Sequence, residues 1–530
     1  MSSHPAHRNS AGADRRLSHI PVPSRPRIRR DNDRLLKVIK FGGTSLGDAS
    51  CIQRAIEIVK STALDGDLVV VVSAMAGVTN KLIEAATRAA AGDRSIVSSI
   101  LKELRERHLA VAHLLIHSSE TRATIEAHID ELFNEGRCLC DGTMFLRELT
   151  PRVLDTISSL GERLSAPLVA AALTEQGLAS EAIEAVELIV TDSCHGAAEP
   201  FIDLTRKRSE QRLNPLRQQR IVPIVTGFIG ATAEGVRTTL GRGGSDYSAT
   251  ILGAALDADE VVIWTDVNGL MTADPRLVPT ACTIPEISYR EASELAYFGA
   301  KVLHPKALRP VMLSEIPLSI RNTFSPDGAG TRIVPEIPSH GTSLKALTAM
   351  KDVALITVGG PGFIGVTDVV GRAFATIAAL RADVLLISQS SSQNEFCLIV
   401  PAAVARHTVE ALRREFAHDL ARETTEHIAL ENPVAIVSLV GQNMRGPSGI
   451  AGRTFGALDR EGIGIIAIAQ GSSDCNVSFV VAQQDVQAAV ITTHEEFQLG
   501  SPNTPDLPLQ RPSESADRYY APEIASADAD

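Results

Sequence analysis

Val38-Ile39-Lys40-Phe41-Gly42-Gly43-Thr44-Ser45 decides how the N-terminal half of this chain is read. A β-branched pair runs into a lysine and two glycines, and a helical pattern follows from Cys51 to Lys60. Where a strand ends in a Gly-Gly turn before a helix, backbone N–H groups can approach a ligand closely, and such groups bind anions. Lys40 adds a full positive charge at the same place, suited to a phosphoryl group in transfer. The plainer reading is a turn that only redirects the chain.

Outward from this turn, strands and helices alternate. Asp67–Ala74 (DLVVVVSA), Val222–Thr226, Glu260–Thr265 and Ile316–Asn322 are short β-rich runs separated by helical patterns. Unbroken apolar runs belong to strands buried on both faces, so the expected class is α/β, a three-layer sandwich with a mainly parallel sheet. Residues 323–345 are loaded with Pro, Gly and Ser and mark a domain boundary. Beyond it the sequence repeats. Gln389-Ser-Ser391-Ser392 aligns with Gln470-Gly-Ser472-Ser473, 81 residues on, and Arg372-Ala-Phe374 with Arg453-Thr-Phe455 and Val353-Ala354 with Val434-Ala435 keep that offset. Each copy reads strand, Gly-rich turn, helix, two strands, helix, the order of a ferredoxin-like βαββαβ unit. The expected organisation is a disordered basic arm (1–36), a catalytic domain (37–325), a linker (326–347), two small α+β domains (348–430 and 431–500) and a disordered acidic tail (501–530).

Three more motifs carry chemistry. Gly241-Arg242-Gly243-Gly244-Ser245-Asp246 precedes a helical run, Tyr247–Ala255, where a helix N-terminus favours anions. Arg242 offers a planar fork that suits a carboxylate or phosphate, and Asp246 has the plainer role of a helix cap. Thr265-Asp266-Val-Asn-Gly269-Leu-Met271-Thr-Ala-Asp274-Pro275-Arg276 follows a strand, at the end where open α/β sheets bind ligands. Ser288-Tyr-Arg-Glu291 is a capping box that opens the helix leading to Phe298-Gly-Ala-Lys301-Val-Leu-His304-Pro305, where Lys301 is either a solvated helix lysine or a phosphate contact.

Composition narrows the function further. At 530 residues the chain is too long for one core. Aromatics are only 4%, so Ala, Val, Ile and Leu must build the interior. A net charge of −12 without a basic stripe argues against nucleic acid as a partner. No apolar run reaches the ~18 residues of a membrane span, and the N-terminus shows no apolar signal region, so no membrane association and a cytoplasmic location are expected. The seven scattered cysteines read as reduced thiols, and no metal-binding spacing occurs among them. His195, beside Asp192 and Ser193, reads as structural, because catalytic triads assemble from distant segments. The P-loop and protein-kinase signatures are absent.

Taken together, KFGGTS (40–45), VVSAMAGVTN (71–80), GERLS (161–165), GRGGSDYSA (241–249), TDVNGLMTADPR (265–276) and FGAKVLHP (298–305) resemble the aspartate kinases of the amino-acid-kinase superfamily, and the repeat resembles that family's paired ACT domains. The resemblance implies ATP with Mg²⁺, L-aspartate as acceptor, and the first step of lysine, threonine and methionine biosynthesis. It implies that Lys40 neutralises the transferring phosphoryl group, that Gly42, Gly43, Thr44 and Ser45 line the phosphate site, and that Asp246 organises the lysine and the Mg-nucleotide. Ser73, Thr79, Glu162 and Arg242 would hold aspartate, Glu162 at its ammonium and Arg242 at its α-carboxylate. Thr265, Asp266, Arg276 and Lys301 would bind ATP, with Met271 standing where some relatives have a tyrosine. Gln389 and Gln470 would meet an amino-acid effector, threonine by preference and lysine as the alternative, and the ACT pair would join subunits into a homo-oligomer. The chemistry agrees: a β-carboxylate is already ionised at pH 7 and needs no general base, so positioning and charge neutralisation suffice.

Competing readings remain. Gly360-Pro-Gly362-Phe-Ile-Gly365 satisfies a dinucleotide-binding pattern, with Asp383 18 residues beyond it, but the second copy, Gly441–Gly446, lacks the pattern. A non-catalytic sensor is opposed by the intact Lys40, Arg242, Asp246 and Lys301. An acetylglutamate-type kinase is disfavoured by the FGGTS form and the ACT pair. Some relatives carry a fused homoserine dehydrogenase; with residues 501–530 alone after the repeat, that activity is not expected.

Overall fold

The computed structural model of the chain describes residues 34–299, 302–337, 343–360, 366–389, 395–421, 427–444, 449–470 and 474–500. Most of the expected basic arm, the acidic tail, Lys301, Gly362–Gly365 and the serines after Gln389 and Gln470 lie outside these residues.

The N-terminal strands are β1 (Leu36–Phe41), β2 (Asp67–Val72), β3 (Ser180–Ile183), β4 (Val222–Thr226), β5 (Ile229–Ala231), β6 (Arg237–Thr239), β7 (Glu260–Thr265), β8 (Glu286–Ser288), β9 (Leu318–Asn322) and β10 (Thr331–Val334). Among the described residues, eight of them form one sheet in the order β3-β4-β2-β1-β7-β9-β10-β8, while β5 and β6 make a hairpin. Every pairing from β3 to β9 is parallel, and β10 runs antiparallel to β9. Helices cover both faces, as the apolar runs require. Ile39, Phe41, Val70 and Val72 pack beneath helices Ala49–Asp65, Val78–Ala91 and Leu160–Glu175. Leu36, Val38, Val69 and Val71 point the other way, beneath helices Ile202–Gln218 and Gly244–Ala255. Side chains alternate along a strand, so Lys40 shares the face of Val38 and is aimed at the second of those helices. Cutting Ile39, fully buried, to alanine would cost ~2–5 kcal/mol.

The regulatory part adds β11 (Ser343–Gly359), β12 (Leu386–Gln389), β13 (Glu395–Pro401), β14 (His427–Gln442), β15 (Ala467–Ala469) and β16 (Asn476–Ala482). They form one antiparallel sheet, β12-β13-β11-β14-β16-β15. The 81-residue offset survives: β13 and β16 start at Glu395 and Asn476, and helix Ala402–Glu415 corresponds to Val486–Glu496. The two units interlace, however. The later half of β11 (353–359) and the start of β14 (427–431) complete the first unit. The second unit takes its fourth strand from the front of β11, where Ser343–Met350 pairs with Ile436–Gln442. Residues 326–347, read from their prolines and glycines as a linker, therefore hold β10 and the beginning of β11. That strand was hard to read because both its faces are covered: Ala346 joins the kinase core and Leu347 the core of the second unit. An antiparallel sheet also disagrees with the dinucleotide-binding alternative, which needs parallel strands.

Candidate functional site

Three strand ends meet at one edge of the parallel sheet. Gly42 N–H donates to Trp264 O (3.1 Å), Ser73 N–H to Phe41 O (3.1 Å) and Gly227 N–H to Val72 O (2.8 Å). A cavity of about 540 Å³ opens there, lined by Lys40, Gly43, Ser73, Thr79, Glu162, Arg242 and Asp246 among others. Two helices begin at its rim, Val78–Ala91 after Gly77 and Gly244–Ala255 after Gly243. Their free N–H groups and dipoles make this end of the sheet attractive to anions. Gly243 has a φ of 67°, and a Cβ there would come within 2.6 Å of His304 Cβ, so the loop needs glycine at that position.

Lys40 is the central cation. Its Nζ lies 2.5 Å from Asp246 Oδ1, and both side chains are largely shielded from solvent. Asp246 sits in the first turn of its helix, but no side chain caps that helix, so the ion pair with Lys40 replaces the capping role. Across the cavity Glu162 is 3% exposed. Its Oε1 accepts from Ala74 N–H (3.1 Å), whereas Oε2 has no hydrogen-bond partner among the described residues. Burial pushes this carboxyl up to about 8, against the pull of the Ala74 N–H and of Lys40. A buried carboxyl with one open oxygen fits a cationic group arriving from outside.

Arg242 stands exposed on the rim, with no ion pair among the described residues. The sequence did not single out Asp155, on helix Pro151–Ser158, which also lines the cavity and is 2% exposed. His195 Nδ1 lies 2.7 Å from its Oδ2, Gly196 N–H and Thr239 N–H donate to the same oxygen (3.2 Å each), and Thr239 Oγ1 donates to Oδ1 (2.6 Å). The His195 ring thus pairs with a distant segment, while its backbone N–H donates locally to Ser193 O (3.0 Å). The available signal was a charged residue among Val153, Leu154 and Ile157 on one short amphipathic helix.

Other expected site residues lie elsewhere. Gly42 is beside the cavity, where an added Cβ would be 3.5 Å from Lys40 Nζ. Thr44 is exposed, and the buried Ser45 hydroxyl is committed to Thr323 Oγ1 (2.7 Å). Thr265 ends β7 and Asp266 follows it, Thr265 Oγ1 donating to Asp266 (3.2 Å). Met271 is partly buried, and Arg276 pairs with Asp274 at 2.7 Å on the surface. Between them the loop turns into the regulatory part: Leu347 N–H donates to Thr272 O (2.8 Å), and Thr272 Oγ1 meets the buried His494 Nε2 (3.0 Å). The capping-box Glu291, fully buried, also reaches Lys345 (3.3 Å) and Gln442 (3.4 Å). Gln389 and Gln470 are exposed at the ends of the two edge strands, which approach closely enough for Ser388 Oγ to donate to Ile468 O (3.2 Å).

Comparison with known proteins agrees with this geometry. Residues 36–322 match the amino acid kinase family, and residues 356–416 and 437–497 each match an ACT domain. The chain belongs to the amino acid kinase family. Its relatives there are aspartokinases. It is 33% identical to the bifunctional aspartokinase/homoserine dehydrogenase of Haemophilus influenzae, over 87% of this chain and 56% of that protein. It is 32% identical to the chloroplastic aspartokinase 1 of Arabidopsis thaliana, over 87% of this chain and 80% of that one. The structure of E. coli aspartokinase III in complex with aspartate and ADP superposes with a TM-score of 0.73 at 30% identity, over 87% of this chain and 100% of that one. The same E. coli protein with lysine and aspartate gives 0.70 at 30% identity, over 87% of this chain and 99% of that one. The chain spans about half the length of the bifunctional relatives. No helix among the described residues is long and apolar enough to cross a membrane.

Proposed function

We propose that the chain is an aspartate kinase, converting ATP and L-aspartate to ADP and 4-phospho-L-aspartate under feedback from an amino acid. One observation carries the reading: Lys40, Glu162 and Arg242, drawn from distant segments, line a single cavity at two helix N-termini. Glu162 takes the α-ammonium on its open oxygen, Arg242 takes the α-carboxylate, and Ser73 and Thr79 complete the acceptor pocket. The β-carboxylate then attacks the γ-phosphorus as an anion, with no base required. Lys40, held by Asp246, neutralises the equatorial oxygens as the bond to ADP breaks. Gly42, Gly43 and Thr44 approach the phosphates, and Thr265, Asp266, Met271, Arg276 and Lys301 belong to the nucleotide side.

No cluster of three or more His, Cys, Asp or Glu among the described residues is placed to hold a metal. Mg²⁺ would arrive with ATP, and Asp246 is the residue that would hold it beside Lys40, where it would offset phosphate charge. Gln389 and Gln470, at converging strand ends, suit a small zwitterion. Threonine is the favoured effector, and the lysine complex of the E. coli relative supports lysine as the alternative. The exposed Ile387 and Ile468 on the same edges suit contact with a second subunit.

The test is ADP release with aspartate, trapping the acyl phosphate with hydroxylamine, beside glutamate, UMP and NADP-linked controls. Aspartate-dependent hydroxamate is expected; ADP release with glutamate alone, or none at all, overturns the reading.

A further inference from the structure

We infer that Asp155 is a positioning residue for the acceptor subsite, setting the loop that carries Arg242; the inference rests on reading the cavity as an aspartate site. Asp155 is a buried carboxylate that no ion pair with Lys or Arg balances among the described residues. Four donors satisfy it instead, from His195, Gly196, and the backbone and hydroxyl of Thr239. Because a carboxylate only accepts, His195 must donate through Nδ1. These donors belong to two separate segments that flank Arg242. Thr239 ends β6, three residues before Arg242. Gly196 touches the residue just before it: a Cβ on Gly241 would lie 2.8 Å from Gly196 O, and Ala198 N–H donates to Thr239 O (3.0 Å). Asp155 thus accepts from both the 195–198 loop and the end of β6, beside their direct Ala198–Thr239 bond, and so ties together the two segments next to Gly241, whose φ of 79° starts the turn into Arg242.

The arrangement explains why a carboxylate is tolerated in a pocket meant for a dicarboxylic substrate. Its lone pairs are already occupied by donors, so the substrate meets the arginine rather than the acid. A rim arginine with no ion pair of its own needs its backbone fixed if its fork is to meet a carboxylate in one orientation.

The experiment is steady-state kinetics on the full chain for Asp155→Asn, alone and combined with Arg242→Ala. The amide keeps the volume but removes the charge that three donors share at Oδ2. We expect KM for aspartate to rise roughly tenfold, the scale of weakened hydrogen bonds to a charged acceptor, with KM for ATP within about twofold. If Asp155 acts through Arg242, the double variant will match Arg242→Ala alone, because the two losses are not independent. Additive losses, equal rises in both KM values, or an unchanged aspartate KM overturn the inference. Should Asp155→Asn fail to fold, Thr239→Val and Thr239→Ser decide: Val removes the hydroxyl donor and is expected to raise the aspartate KM, while Ser restores it. Wild-type KM in Thr239→Val overturns the inference. A wild-type chain without aspartate-dependent ADP release would instead sink the kinase reading itself.

Discussion

The cavity and the loop proposed for the nucleotide are held in different ways. The acceptor side is closed within the kinase part: Lys40 rests on Asp246, Glu162 on Ala74, and the Arg242 loop on Asp155, all from segments before residue 250. The loop proposed for the nucleotide leans on the regulatory sheet. The loop after β7 buries Ala273 and Val278 in the core of the second ACT unit and ties Thr272 to Leu347 and His494. The helix Tyr289–Tyr297 is anchored through Glu291 to Lys345 and Gln442, and through Glu294 to Asn476. Phe298 packs against Val353, Leu355 and Leu386 of the regulatory sheet. A change in that sheet therefore reaches the nucleotide side first, and an effector is expected to act on ATP binding and turnover before it touches aspartate affinity.

The contrast can be broken most forcefully at Lys40. Lys40→Ala should lower kcat by ~10³-fold, the scale of losing a charged contact made in the transition state, in a chain whose circular dichroism shows it folded. Near-normal turnover would remove the lysine from the chemistry. Arg242→Lys comes next: a point charge replaces a fork, so the aspartate KM should rise ~10-fold or more while the ATP KM barely moves. Equal rises would erase the division between the two sides.

Glu162 gives a pH signature confined to the acceptor side. With the pocket empty its carboxyl holds a proton up to about 8, whereas in the unfolded chain it ionises near 4.5. The folded state then binds more protons than the unfolded one between those values, so the free enzyme should lose stability as pH rises from 4.5 towards 8. On the proposed reading, aspartate needs the ionised form for its ammonium. Its KM should therefore fall nearly tenfold per unit as pH rises towards 8 and flatten above, with no such slope in the ATP KM. Glu162→Gln should raise the aspartate KM and abolish the slope in both the KM profile and thermal melts.

Smaller effects sharpen the other side. Thr272→Val, which deletes the hydroxyl bonded to His494, should raise the ATP KM a few-fold, as for the loss of one buried hydrogen bond of ~1 kcal/mol, and blunt effector response. An aspartate KM that moved as much would reverse the assignment of this loop. Gln389→Ala or Gln470→Ala should raise the inhibitory concentration of threonine or lysine a few-fold, as for the loss of one hydrogen bond of ~1 kcal/mol, with uninhibited kcat nearly intact. A wild type indifferent to both amino acids at several millimolar would sink the regulatory reading and leave the kinase standing.

Much of this was legible in the sequence because periodicity and glycine placement are local signals. The buried strands announced themselves as DLVVVV and EVVIWT, and the KFGG and GRGG turns both reach the cavity. The capping box at Ser288 formed with both its bonds. What stayed hidden depends on segments far apart in the chain. Asp155 looked like one acid on a short helix until its donors arrived from residues 195, 196 and 239. Ser45 reads as a phosphate contact in its motif, yet its hydroxyl turns inward to Thr323. The start of β11 was masked by the prolines and glycines ahead of it, since pattern reading cannot say which of two repeats a strand will join.

The interlaced pairing of β11 and β14 removes the hinge that a tandem duplication would normally supply. Two beads on a string can swivel independently; these two are threaded on the same pair of ribbons, 17 and 16 residues long, and each ribbon passes through both. A disturbance in one unit travels as bending or torsion of that shared pair, so the regulatory half behaves as a single spring rather than as two separate sensors. It also follows that no cut between residues 350 and 434 yields two complete halves: severing the chain there leaves the second unit without its outermost ribbon.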